Sequence, residues 1–162
     1  MKILISGIPG VGKSEISKEL GKQKKYKVIN DKEYCKKNNL GNFEVIESNK
    51  EYVVSIGDLN KSISNYLKSK DNLIFEGHIW CELSKSNLKC FDKIILLTAN
   101  KKLIYERLKK RGYGPVKIEE NIFCQEHGYI SEIFDSKNIK YTKVKINDNI
   151  KDNIKKICEK IW

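Results

Sequence analysis

Eight residues near the amino terminus carry the clearest chemistry in this 162-residue chain: Gly7-Ile8-Pro9-Gly10-Val11-Gly12-Lys13-Ser14 satisfies the pattern G-x-x-x-x-G-K-[ST]. That spacing suits a loop wrapped around phosphate oxygens. Gly10 and Gly12 can take backbone conformations closed to other residues, so successive N–H groups can turn inward as an anion nest. Lys13 is expected to reach the β- and γ-phosphates of a nucleotide, and the Ser14 hydroxyl to ligate Mg²⁺. Val11 and Glu15 belong to the same expected ATP-binding stretch, Gly10 to Glu15. A glycine turn that merely joined a strand to a helix would have no need for Lys-Ser at its end.

Further along, the apolar run Leu73-Ile74-Phe75 ends in Glu76-Gly77-His78, which puts a carboxylate at the edge of a sheet where α/β proteins bind ligands. Glu76 is a candidate to hold Mg²⁺, directly or through a water, or to orient an attacking oxygen. Gly77 allows a substrate to approach the backbone, and His78 is either a phosphate- or water-positioning group or a hydrogen-bonded loop residue. His127 has no partner motif and reads as structural. The chain has only two arginines, Arg107 and Arg111, four residues apart and hence on one helix face just before Gly112. Their planar forks grip phosphate oxygens in a way that lysine cannot, so both are candidates to neutralise charge during transfer, with Arg111 also touching the nucleotide. The bland alternative is a solvated helix face.

The elements that must position these groups read as alternating strands and helices, the order of βα units building a parallel sheet. Five strands are expected: Ile3–Ser6, Tyr26–Ile29, Leu73–Phe75, Lys93–Leu97 and Lys140–Ile146. Helices are expected from Lys13, over Lys101–Arg111 with Asn100 as N-cap, over Lys117–Phe134, and at the end through Ile150, Ile154, Ile157 and Ile161. Asp31–Tyr52 is polar, with Gly41 between two weak helical signals, and reads as an insertion over the sheet. Gly112–Lys117 reads as a short mobile cap able to close over ATP and exclude water.

Composition narrows the classes. With 40% apolar and 33% charged residues, and no apolar run near the length of a spanning helix, a globular domain is expected and a membrane anchor is not. Met1-Lys2 leads straight into a four-residue apolar run, too short for a signal-peptide core, so the expected location is the cytoplasm. Cys35, Cys81, Cys90, Cys124 and Cys158 lack zinc-ligand spacing and read as reduced thiols. The formal charge of +11 favours anionic partners such as nucleotides or RNA, although lysine spread over helix faces produces the same number.

Taken together, the loop G-I-P-G-V-G-K-S, the strand end F-E-G-H, the stretch L-I-Y-E-R-L-K-K-R-G-Y followed by K-I-E-E-N, and the terminal I-W of Ile161-Trp162 resemble the adenylate kinase 6 family of archaea and eukaryotes. The likeness runs over nearly the whole chain. It implies an α/β P-loop NTPase fold of the nucleoside monophosphate kinase kind, three layers around a five-stranded parallel sheet. It also implies one domain over 1–162, with an acceptor region at about 31–60 and a lid at about 111–118. The implied activity is adenylate kinase, ATP plus AMP giving two ADP, with Mg²⁺. Some ATPase activity is implied too, and a part in small ribosomal subunit maturation through a ribosomal protein and rRNA. By position, Gly10, Gly12, Lys13 and Ser14 match the family's ATP loop, Glu76 its strand-end acid, His78 the following histidine, Arg107 and Arg111 the lid arginines, and Asn121 a residue after the lid. Lys36 stands where the family tends to carry an acceptor-phosphate arginine, and could equally be a surface lysine. Two competing readings stay open: a ribosome-assembly ATPase with incidental kinase activity, and a kinase for another small acceptor.

Overall fold

The computed structural model describes residues 1–46, 49–69 and 71–161; Trp162, one of the resembling residues above, lies outside them. In chain order the first half is β1 (Lys2–Ser6), α1 (Lys13–Lys24), β2 (Lys27–Asn30), α2 (Asp31–Lys37), β3 (Gly41–Ile46), β4 (Asn49–Val54), α3 (Ile56–Leu67) and β5 (Leu73–Glu76). After a 3₁₀ turn at Ile79–Glu82 come α4 (Lys85–Leu88), β6 (Lys93–Thr98), α5 (Lys101–Lys110), α6 (Pro115–Glu126), α7 (Tyr129–Ser136), β7 (Thr142–Lys145) and α8 (Ile150–Ile161). Five strands form one parallel sheet in the order β2-β5-β1-β6-β7, the centre of a three-layer α/β fold.

Ile3, Leu4 and Ile5 of β1 and Leu73 to Phe75 of β5 are buried, as are Ile94 to Leu97 of β6. Such unbroken apolar strands are what a parallel sheet covered by helices on both faces requires. The covering helices bury one stripe each: Ile16 and Leu20 of α1, Leu103, Ile104 and Leu108 of α5, and Ile154, Ile157 and Ile161 of α8. Asn100 caps α5 as its position suggests, accepting from Leu103 N at 2.8 Å.

Two registers decide where the functional groups stand. Glu76 lies opposite Asn30 across the β2–β5 pair and opposite Ile5 across the β1–β5 pair. The last residue of β5 therefore sits between the end of β2 and the strand that feeds the glycine loop.

The structure departs from the sequence reading in four places. The second weak helical signal after Gly41 is an antiparallel hairpin, β3 with β4, in which Phe43 faces Tyr52. Helix α3 was not anticipated, although Ser55 caps it and Leu59, Ile63 and Leu67 form its buried stripe. The single helix expected over Lys117–Phe134 is two, because Gly128 turns the chain at φ 70° between α6 and α7. Of the stretch Gly112–Lys117 expected as a cap, Pro115 to Lys117 stand in the first turn of α6.

Candidate active site

The glycine loop joins β1 to α1 and ends at Gly12, which caps the helix at φ 87° with no side-chain acceptor of its own. The first-turn N–H groups of α1 are thus left to an anion rather than to a capping side chain. The Lys13 ammonium lies over the loop, donating to the carbonyl oxygens of Gly7 at 2.8 Å and Ile8 at 2.9 Å. Burial pushes its pKa down to about 8, even though Asp31 and Glu76 favour the charged form; Arg111 and Lys32 push the same way as burial.

Glu76 is 3% exposed and held on both oxygens. The Asn30 amide donates to Oε1 at 2.5 Å, and the Ser14 hydroxyl donates to Oε2 at 3.2 Å. Strand pairing brings Asn30 and Glu76 together, and the loop motif supplies Ser14, so three separate segments meet at one carboxylate. Ser14 Oγ and Glu76 Oε2 suit Mg²⁺: both are hard oxygen donors, and adjacent ligands of an octahedral Mg²⁺ site at ~2.1 Å stand roughly 3 Å apart.

Asp31, beside them, escaped the sequence reading. It is 2% exposed, accepts from Ile79 N at 2.9 Å and Lys32 N at 2.7 Å, and stands 3.7 Å from His78 Nδ1. Burial lowers the His78 pKa, opposed by the Asp31 charge, while Lys13 and Lys32 lower it further. Below Glu76, Trp80 is fully buried between Phe75 and Tyr34, and its indole N–H donates to the Glu76 carbonyl at 3.2 Å.

The two arginines part company. Arg107 is half-buried and braced, Nη1 donating to Gly10 O at 3.4 Å and Nη2 to Asp148 Oδ1 at 3.1 Å. Arg111, the residue that caps α5, is exposed and shares a cleft of about 400 Å³ with Gly12, Glu15, Arg107 and Lys110. Val11 is fully buried, so of the expected ATP stretch it can offer only backbone.

On the other side of the loop lies a cavity of about 600 Å³ bounded by Ile8 and Pro9, by Lys32 and Lys36 on one face of α2, and by His78. The hairpin roofs it: the Lys36 ammonium sits 5.3 Å from the Phe43 ring centroid and 5.7 Å from that of Tyr52. Tyr113, Lys117, Asn121 and Tyr129 form the opposite wall. Lys32 and Lys117 were missed in the sequence because nothing local separates them from the other lysines. His127 lies elsewhere, stacked on Phe123 with ring centroids 3.7 Å apart. The described residues hold no cluster of three or more His, Cys, Asp or Glu fit for a metal, and all five cysteines are free. Burial pushes the Cys35 thiol up to about 11 and the Cys81 thiol up to about 12.

A family model described as AAA domain matches residues 3–128. A Methanocaldococcus jannaschii protein provisionally named as an adenylate kinase is 38% identical over 141 residues, covering 82% of this chain and 76% of its own length. The adenylate kinase isoenzyme 6 homolog of Plasmodium falciparum is 33% identical over 147 residues, with 80% and 76% covered. The chain belongs to the adenylate kinase 6 family. Within that family it is a P-loop kinase, and it spans 63% of the length of its Thermococcus kodakarensis relative. Solved structures agree on the fold of this adenylate kinase 6 relative: shikimate kinase from Acinetobacter baumannii superposes with a TM-score of 0.63 at 16% identity, covering 99% of this chain and 92% of that one. Deoxyadenosine kinase from M. mycoides superposes with 0.60 at 17% identity, covering 99% and 98%. No helix among the described residues is long and apolar enough to cross a membrane.

Proposed function

We propose that the protein transfers the γ-phosphoryl group of Mg-ATP to AMP. The observation that carries this reading is the placement of the Ser14–Glu76 pair and Lys13 next to a roofed cavity lined by Lys32, Lys36 and His78. A hydrolase needs only the first of these two features. A transferase needs a second, cationic compartment for the acceptor phosphate.

In this account the glycine loop and Lys13 hold the β- and γ-phosphates, and Ser14 with Glu76 would hold Mg²⁺, which when bound supplies charge neutralisation on the phosphate oxygens. Lys32 and Lys36 neutralise the acceptor phosphate, and His78, which follows Gly77 after the end of β5, lines the cavity with them. Arg111 moves against the transferring group as the turn at Gly112–Gly114 closes, while Arg107 holds the loop in shape. Residues 31–60 then act as the acceptor region and 111–118 as the lid of one kinase domain. Rate enhancement comes from positioning and fixed charge, since phosphoryl transfer asks little covalent chemistry of the protein.

The test is ADP formation from Mg-ATP followed with AMP, CMP, GMP, UMP or no acceptor. Strong stimulation by AMP is expected; ADP formation at the same rate without acceptor would overturn the proposal and favour the second reading. That second reading, an ATPase acting in small ribosomal subunit maturation on a ribosomal protein and rRNA, has the +11 charge in its favour.

A further inference from the structure

Asn30 has one amide and two tasks. Its Oδ1 accepts from Glu33 N at 3.0 Å and so caps α2, while its Nδ2 donates to Glu76 Oε1 at 2.5 Å. The β2–β5 register sets it opposite Glu76, half-buried where β2 gives way to α2. Both bonds leave from one planar group, so the capped helix and the carboxylate are joined with no free rotor between them.

The two ends of this link carry different chemistry. Glu76 turns its other oxygen, Oε2, to Ser14 Oγ, the pair suited to Mg²⁺. Helix α2 has seven residues and carries Lys32 and Lys36, both of which line the acceptor cavity. A helix that short does not hold itself in water, and its first-turn N–H groups need partners from outside. A carboxylate is planar, so a pull on Oε2 shifts Oε1 with it and the Asn30 amide after that. The next residue, Asp31, is buried and bound to Ile79 N at 2.9 Å, which pins the start of the helix to the segment after β5. Space for the amide to move lies on its far side, where Asn30, Glu33 and Glu76 border a cleft of about 430 Å³ between α1 and β2, beside Lys18 and Lys22.

We propose that Asn30 is a positioning residue that couples the metal side of the site to the acceptor side. With Mg²⁺ held at Ser14 and Glu76, the Asn30 amide sets the first turn of α2, and Lys32 with it, in the arrangement that takes the acceptor phosphate. The inference rests on the transferase reading and adds an order to it: the metal-loaded donor complex prepares the acceptor compartment. Such a link passes on only the free-energy difference between its two states, for coupled sites typically about 5- to 150-fold in affinity. Capping alone would give no such dependence on the metal.

The test is the affinity for AMP by isothermal titration, with the donor site filled by the non-hydrolysable analogue AMP-PNP, once with Mg²⁺ and once with EDTA. The unmodified protein should bind AMP about fivefold more tightly or better when Mg²⁺ is present. Asn30→Ser keeps an oxygen that caps α2 and loses the amide nitrogen, so it should hold its melting temperature and its metal-free affinity while the ratio falls towards one. Asn30→Thr, a second capping residue without the amide, should do the same and keeps the test available if the serine variant folds poorly. A ratio near one in the unmodified protein, or a ratio retained in both variants, would overturn the inference and leave the transferase reading standing. Affinity lowered by one common factor with and without Mg²⁺ would also overturn it, reducing Asn30 to a cap. Failure of the unmodified protein to bind AMP under either condition would remove both.

Discussion

The carboxylate of Asp31 occupies the space that a β-carbon on Gly77 would need. Gly77 also sits at φ 149°, a region that side chains rarely adopt, and its N–H bonds Ile5 O at 3.2 Å. One small residue thus allows the buried acid, the end of β5 and the strand before the glycine loop to meet. Gly77→Ala is expected to cost about 2–4 kcal/mol in chemical denaturation, with activity falling further than stability alone explains. A variant as stable and active as the original would show that Asp31 can move aside at no cost.

Lys13 gives a pH signature. Burial sets its folded pKa at about 8, below the ordinary 10.5, so between these values the folded protein binds fewer protons than the unfolded chain. From this group, stability rises with pH across that window, and the penalty on the folded state is fully present below about pH 8. Function runs the other way. The free enzyme loses the ammonium above about pH 8, so kcat/KM for ATP should fall there, whereas kcat holds to higher pH because bound phosphates favour the charged amine. Lys13→Met should lose most activity and remove the rise in stability between pH 8 and 10; an unchanged slope would assign that proton elsewhere.

The two arginines should separate kinetically. Arg107, tied to Gly10 O and Asp148, should on substitution by Ala raise KM for ATP and lower the melting temperature. Arg111→Ala should leave stability alone and lower kcat about 100-fold, with Arg111→Lys a poor substitute because an ammonium lacks the planar fork. Equal effects from both would mean that the bracing seen at Arg107 does not distinguish them.

Lys36 sits beneath two rings, a place for a charge that must stay directed into the cavity. Lys36→Ala should raise KM for the acceptor about tenfold with KM for ATP unchanged, and Tyr52→Leu should do the same more weakly. Steady-state kinetics with each substrate varied in turn would detect the split.

Glu76→Gln keeps the size of the side chain and removes its charge. Titration of activity with Mg²⁺ should show the variant needing about tenfold more metal or beyond, the scale at which metal sites respond to a lost carboxylate partner. An unaltered Mg²⁺ requirement would take Glu76 out of the metal account.

The parts of the site legible in the sequence are those written in short range. The glycine loop, Lys13 and Ser14 form one contiguous motif, and Glu76 was found because an apolar run stops at it. Asp31 was hidden because its partners, Gly77 and Ile79 N, come from another strand end and no local pattern links them. The hairpin was misjudged because Asp31–Tyr52 is rich in lysine and asparagine, which hid the period-two pairing of Gly41 and Phe43 with Val54 and Tyr52. The break between α6 and α7 had a signal, Gly128 inside a helical stripe, but the apolar spacing ran on across it. Lys32 and Lys36 stand out from the other lysines only once α2 is seen to border the cavity.

The fate of the transferred phosphate tests the central claim most directly. With γ-labelled ATP, Mg²⁺ and AMP, the account predicts that the label appears in ADP, in proportion to the ATP consumed, with little released as inorganic phosphate. Label found only in inorganic phosphate, at a rate indifferent to AMP, would contradict it.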